Sequence, residues 1–390
     1  MANAADSTPL LAGITIVDLS RVLAGPFCTM TLANMGARVI KVEIPDTGDD
    51  ARAFGPFHNG KSLYFSAINC NKESIALNLK NTDDRAIFEK ILEKADVLVE
   101  NYRPGTMEKL GYGWNVLHER YPHLIYGAAS GFGDSGPLSQ RAAYDMVVQG
   151  MGGIMSVTGY PDQPPARVGV SIGDMAAGIY LATGLSAALY KRAVSGIASK
   201  IDVAMLDCQV AIMEDAVTAY DKTGELPGPK GTRHPSVAPF QSFAAQDGNV
   251  VIAAGNDHLF KLMSEALDRA DLAADSRFTT NDLRHLNIDA LQAEMEKVLR
   301  TKSVAAWLEA LNAKGVPCAP INDIPHMMQE PQVAARNMII SVQDPVAGTI
   351  KVAGNPIKVV GSPEPSTYAP PPELDAHRAA ILAEFAGEKP

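Results

Sequence analysis

Paired cysteines, a basic charge excess and the usual cofactor motifs are what this chain lacks. Its 390 residues hold four cysteines, at positions 28, 70, 208 and 318. They form no C-x-x-C pair, which argues against a disulfide framework or a cysteine zinc site and for reduced thiols in a cytoplasmic protein. The eight histidines show no H-E-x-x-H or related spacing, so no metal centre is expected. No G-x-S-x-G occurs and no Ser or Cys sits beside a recognisable base, which leaves a hydrolase triad without support. A basic excess is also missing. Lys and Arg number 34 against 44 Asp and Glu, a net charge of −10, which disfavours nucleic acid and membrane surfaces as partners and leaves room only for local cationic sites. The opening "MANAADSTPLLAG" has neither the basic region nor the apolar run of a signal peptide.

What is present is a chain long and apolar enough for a large core in two domains, with 46% hydrophobic residues. The first part alternates between strand and helix patterns. "ITIVDL" reads as a buried strand, "GPFCTMTLANMGA" as a helix with Pro26 near its start, and "RVIKVE" as a second strand. "SIALNLK", the helix "DDRAIFEKILEKA", the strand "DVLVEN" and the strand-like "LIYGAASGF" continue the series. Repeated βαβ spacing predicts an α/β fold with a parallel, Rossmann-like sheet. No G-x-G-x-x-G follows its first strand, so a nicotinamide enzyme is not expected. Helices are expected from there to about Tyr220. "FQSFAAQDGNVVIAAG" predicts a hairpin, followed by helices around Phe260–Leu267, Ile288–Leu299 and Val304–Asn312, which make a smaller α+β domain. "SVQDPVAGTIKVAGNPIKV" reads as a strand pair, and "ELDAHRAAILAEFA" as an amphipathic helix.

One charge stands out. "VGVSIGDMAAGIYLATGLSAALY", residues 168–190, is small and apolar throughout except for Asp174. The run is long enough for a membrane span, but its glycines and its Asp predict a close-packed core helix after a loop. An unpaired buried carboxylate is costly. Asp174 is therefore either the N-cap of that helix or a group kept for chemistry. Other glycine-, amide- and charge-bearing clusters fall at strand ends, where α/β proteins place ligands: "VLAGP" (22–26), "VENYRPG" (99–105), "GFGDSGP" (131–137), and "AAGND" (253–257). "YD" (144–145) opens a helix thirty residues before Asp174. Singly, each also reads as an ordinary turn, cap or surface charge.

Together these clusters resemble a family. "DLSRVLAGPFCTMTLANMGARVIKVE", "ADVLVENYRPG", "GFGDSGP..QRAAYD", "GVSIGDMAAGIYLA", "VAAGNDHLF", "GVPCAPIND" and "EPQVAARNMI" occur in the order found in family III CoA-transferases. The resemblance runs over nearly the whole chain, and within the family it is greatest to the branch that moves CoA onto oxalate. It implies that Asp174 is a catalytic nucleophile. The substrates implied are an acyl-CoA thioester, acetyl-CoA for preference, and a small carboxylic acid, with no tightly bound cofactor. Leu23, Ala24, Leu77, Lys80, Asn101, Tyr102, Arg103, Lys109, Arg141, Tyr144 and Asp145 are implied to contact CoA, and Gly255 and Asn256 to form a mobile loop over the acyl intermediate. Asp145 is implied to help hold Asp174 or the acid, although two close carboxylates repel. The chain departs from formyl-CoA transferase at Leu23 and Ile44, where that enzyme has glutamine and arginine.

Three other readings stay open. One is a succinyl-CoA:dicarboxylate transferase acting on glutarate or malate. A second is an acyl-CoA racemase, disfavoured because Tyr144 stands where a racemase has histidine and tyrosine is a poor base at neutral pH. The third is a non-catalytic CoA-binding protein. The family further implies an interlocked homodimer. Its large domain would combine residues 1–222 and 346–390, its small domain would be 240–325, and 223–239 and 326–345 would be linkers.

Overall fold

The computed structural model describes residues 8–362 and 364–387, and the chain forms two compact units. The first draws on Met1–Met155, Arg167–Glu225 and Pro331–Pro390, the second on Ser156–Ala166 and Leu226–Glu330. The proline-bearing stretch 156–166, predicted within the first domain, thus groups with the second unit. A backbone hydrogen bond from Gly231 to the Gly159 carbonyl (2.8 Å) ties it there, with the Tyr160 ring against Gly231.

The first unit is built on six parallel strands: β1 (Thr15–Asp18), β2 (Arg38–Glu43), β3 (Lys72–Ala76), β4 (Val97–Glu100), β5 (Ile125–Ser130) and β6 (Lys200–Ala204). Their order is β3-β2-β1-β4-β5-β6. The winding reverses between β1 and β4, and this is the switch point at whose carboxyl edge α/β sheets bind ligands. Both faces of the sheet are covered, so its strands are apolar on both sides. Ile16, Val39, Val97 and Ile125 face one core with helices α1 (Ala24–Ala33) and α3 (Ile172–Ser195). Val17, Ile40, Ile75 and Leu98 face another with Phe88, Ile91 and Leu117. Two further helices matter below: α2 (Asp145–Met151) and α4 (Met205–Ala211). Strand β3 ends at Ala76, short of the predicted "LNLK". Strand β6, inside the region expected to be helical, completes the sheet.

Helix α3 is long and apolar enough to cross a membrane. Its buried positions Ala177, Leu181, Leu185 and Ala188 pack into the sheet core, the one-sided periodicity of a core helix. Gly178 is required where α1 crosses it, because a Cβ there would lie 2.8 Å from the Ala24 carbonyl oxygen and 3.3 Å from the Cys28 nitrogen.

The second unit contains a three-stranded antiparallel sheet of β7 (Phe240–Ala244), β8 (Asn249–Ala253) and β9 (Cys318–Pro320), ordered β9-β8-β7. The predicted hairpin is β7–β8; β9 is too short to show alternation in the sequence. Helices over Ile288–Leu299 and Val304–Ala313 follow the predicted positions, and Trp307, Leu291 and Phe260 fill the core. A fully buried Arg284 is satisfied by the Ala238 and Phe278 carbonyls and by Asp257.

The predicted linker 326–345 instead carries a helix (Pro331–Ala335) and the strand β10 (Ile339–Asp344), which pairs antiparallel with β11 (Gly348–Ala353). The predicted C-terminal helix runs Arg378–Ile381 and continues as a π-type turn over Leu382–Ala386. It returns to the first unit, where Ile381 and Phe385 enter the core.

The carboxyl edge of the sheet carries a buried charge network. Lys72 donates to Asp18, to Thr29 and to the Pro26 carbonyl, while Ser20 and Thr29 also donate to Asp18. Burial alone would push the Asp18 carboxyl up; Lys72, Lys41 and the two hydroxyls outweigh it and bring it down to about 2. Lys41, fully buried, pairs with Asp49 at 2.8 Å and donates to the Ser20 carbonyl. Replacing one partner leaves the other charge buried alone, so Lys41→Met is expected to cost about 3–5 kcal/mol in chemical unfolding. A loss under about 1 kcal/mol would mean that the pair is solvated.

Candidate active site

The site grows from the loop between β1 and α1. Val22 sits there at φ +66, a left-handed conformation rare for a β-branched residue. Neighbouring side chains hold it. The Val22 amide donates to Asp49 (3.0 Å), and Asn101, just past β4, accepts from the Arg21 amide (2.8 Å) and donates to the Arg21 carbonyl (2.7 Å). Asn101 is thus a clamp between the two strand ends at the switch point. The loop delivers Leu23 and Ala24 to the start of α1, where no side chain caps the helix and no acid occupies the first turn.

A cleft of about 270 Å³ opens here. Its walls bring together Leu23, Ala24, Asn101, Tyr102, Arg103, Arg141 and Tyr144, all predicted from sequence, with Asp174. Leu77, Lys80 and Lys109 are outside these walls. Leu77 is buried behind β3, its amide bonded to the Glu43 carbonyl, while Lys80 is exposed on a turn and Lys109 on the short helix Thr106–Leu110. Arg103 and Arg141 have no carboxylate partner among the described residues. Arg141 instead lies over the Phe132 ring, and Arg21, which also lines the cleft, is paired with Asp50.

Asp174 is not the helix cap. Helix α3 begins at Ile172 with Ser171 as its N-cap, and Asp174 is the third helical residue. The capping is done from another helix. Asp145, at the start of α2, accepts the Gly173 amide hydrogen at 2.8 Å and a Gln149 amide hydrogen at 2.7 Å, with Arg167 at 3.7 Å. A carboxylate at a helix N-terminus is favoured by the exposed amides and the dipole. Asp145, predicted to contact CoA, is buried and lies outside the cleft walls.

Gly173 makes the contact possible. A Cβ there would fall 3.1 Å from the Asp145 carboxylate and 2.7 Å from Val148. Asp174, half-buried, then makes no hydrogen bond or ion pair among the described residues. Burial first, and the charge of Asp145 second, push its carboxyl up to about 7.

Gly255 and Asn256 belong to the second unit. There Asn256 caps the helix α5 (Asp257–Ala266), accepting the Leu259 amide hydrogen at 2.9 Å. The loop predicted to be mobile is, at Asn256, committed to a helix start. Sequence reasoning missed Asp49, Glu100, Gln149, Arg167 and Gln209. Glu100, which accepts from the Tyr102 amide and the Tyr126 hydroxyl, is pushed up by burial to about 7. The one sequence signal for this supporting set was the glycine directly before Asp174.

Residues 11–378 match CoA-transferase family III. The chain belongs to that family. It is 45% identical over 375 residues to the acetyl-CoA:oxalate CoA-transferase of Acetobacter aceti, covering 96% of this chain and 95% of that protein. It is 37% identical over 376 residues to the human succinyl-CoA:glutarate CoA-transferase, covering 96% and 85%. Among solved structures, a CaiB/BaiF family protein from Brucella suis superposes with TM-score 0.86 at 36% identity, covering 97% of this chain and all of that one. The family III enzyme is therefore a CoA-transferase whose cleft lies at the sheet's switch point. Asn101→Ala removes two partly buried hydrogen bonds from the cleft loop and is expected to lower unfolding free energy by about 1–3 kcal/mol in urea titration. An unchanged midpoint would show that the loop is held by Asp49 alone.

Proposed function

We propose that this protein transfers CoA from acetyl-CoA to oxalate, with Asp174 as the nucleophile. The observation that carries the proposal is the unbonded Asp174 carboxylate in the switch-point cleft. An oxygen that donates or accepts nowhere else has its lone pairs free for attack. The Asp174 oxygen forms a C–O bond to the thioester carbonyl, the C–S bond breaks, and CoA leaves as thiolate. The thiolate then attacks the aspartyl carbonyl of the mixed anhydride, forming an enzyme thioester and releasing the donor acid as its carboxylate. An incoming carboxylate repeats the two steps in reverse, which restores Asp174 and gives the new acyl-CoA. Anhydride and thioester both hydrolyse in water, so the small, apolar surroundings of Asp174 suit the chemistry. Arg103 and Arg141, without carboxylate partners, supply positive charge for the anionic ends of CoA or of a dicarboxylate.

Oxalate is preferred because the Acetobacter aceti relative is the more similar of the two curated proteins compared above. The second reading, succinyl-CoA with glutarate, is favoured by the human relative. Purified protein mixed with acetyl- or succinyl-CoA and with oxalate or glutarate separates them by chromatography of the CoA esters. Oxalyl-CoA formed from acetyl-CoA, with Asp174→Ala at least 1,000-fold slower, is the expected result. Glutaryl-CoA alone replaces the substrate assignment, and transfer by Asp174→Ala removes the nucleophile.

We also infer a homodimer working in the cytoplasm. Ile179, Tyr180, Tyr190 and Val194 leave apolar side chains of α3 exposed, as does Val210 on α4, and exposed apolar surface suits a protein partner; the four thiols are unpaired. Light scattering is expected to give twice the chain mass. A monomer at micromolar concentration overturns the dimer.

A further inference from the structure

Two carboxylates, Asp174 of α3 and Asp145 of α2, meet at the N-terminal turn of α3 and do different work. Helix α3 needs an acceptor at its first turn, where amides have no intrahelical partner. Asp174 stands within that turn, and a first-turn Asp ordinarily folds back to the free amides. It does not do so here, because Asp145 reaches across from α2 and takes the Gly173 amide. Asp145 is itself fixed, buried and bonded to Gln149, whose oxygen in turn accepts the Val168 amide just before α3. The arrangement needs a residue without a side chain at 173, and glycine is there. Behind it lies Gln209 on α4, fully buried, whose carboxamide has no partner among the described residues.

We propose that Asp145 is the positioning residue of the transfer reaction: by capping α3 in place of Asp174, it leaves the nucleophilic carboxylate unbonded. The proposal rests on the transferase reading above. A hydrogen-bonded or salt-bridged carboxylate is a weaker nucleophile, since each bond to the ionised form stabilises the reactant more than the transition state, in which its charge is being lost. Asp145 removes one such bond and adds repulsion that attack on the thioester relieves. The other charged and titratable groups facing the site are Tyr64, Tyr102 and Tyr144, the cations Arg21, Arg103 and Arg141, and Asp50 beside Arg21. None of them is bonded to Asp174. Arg167 faces Asp145 at 3.7 Å and partly offsets its charge.

The two halves of the role separate experimentally. Asp145→Asn keeps an oxygen for the Gly173 amide but removes the charge. Arg167→Ala keeps Asp145 and removes the cation that offsets it. The Asp174 carboxyl stretch is read by infrared difference spectroscopy against Asp174→Asn, as a function of pH and without any substrate, alongside kcat/KM for CoA transfer.

A carboxyl raised above its ordinary value is protonated below that value and ionised above it. Removing a neighbouring negative charge therefore moves its titration, and the acid limb of kcat/KM, to lower pH. In Asp145→Asn the titration is expected about one unit lower, with kcat on the alkaline plateau at least tenfold below the parent and KM little changed. In Arg167→Ala the titration is expected to move the other way. A purely structural role for Asp145 lowers the melting temperature and leaves both titrations in place, and that result overturns the proposal. So does an acid limb that moves in the same direction in both variants. If the parent protein transfers no CoA while the infrared titrations still shift in opposite directions, the transferase reading has failed and the coupling between the two carboxylates stands.

Discussion

The close crossing of α1 over α3 at Gly178 is the constraint on which the site depends. No side chain fits between the glycine and the Ala24 carbonyl, so the first turn of α1 lies against the first turns of α3. That contact puts the loop after β1, which forms one wall of the cleft, beside the carboxylate that opens α3. The buried network reinforces the same geometry from beneath. Lys72 reaches from β3 to the Pro26 carbonyl and thereby ties the start of α1 to the sheet, while Lys41 and Asp49 hold the loop that Val22 strains. Buried ion pairs contribute little net stability compared with apolar packing. What this network contributes is a fixed position for backbone that would otherwise relax.

Much of this was legible in the sequence, and the legible part follows from periodicity. The alternating βαβ pattern gave β1, α1, β2 and β4 near their observed ends, because strands buried on both faces write continuous apolar runs. Strand β6 was not legible, since "KIDVA" is short, half-exposed and set among helices. The second-unit edge strand β9 spans only three residues and escapes for the same reason. The cleft residues were found through their positions after strands and through resemblance. The supporting residues were not, because a carboxylate that caps another helix leaves no mark at its own position. Asp145 and Gly173 are 28 residues apart, and only the fold makes them neighbours.

That Asp174 does not cap its own helix has a physical lesson. Local rules correctly require an acidic or hydroxyl group at the start of a buried helix. They do not say which part of the chain supplies it. When the group comes from elsewhere, the acid that looks like a cap is released from that duty, and a small, apolar helix with one unoccupied carboxylate becomes a place for covalent chemistry. The same division explains why the carboxyl is pushed up from its ordinary value: burial and the neighbouring Asp145 both act on it, and among the described residues no hydrogen bond or ion pair to Asp174 itself opposes them.

The edge of the main sheet is completed late. Strand β3 is an outer strand, and its free backbone groups are met by residues from the far end of the chain. The Ala76 amide donates to Asp375, the His377 amide to the Ser74 carbonyl, and the Ser74 amide to the His377 ring. Arg38 of the neighbouring strand is joined to Glu384 as well. An open sheet edge is a template for pairing with other chains. During synthesis this edge is therefore open from the time the first quarter of the chain emerges until almost the last residue has been added, with the whole second unit made in between. The interval in which a nascent chain is exposed to mispairing is thus set by the order of its segments, and a chain cut short before residue 375 carries that exposed edge permanently.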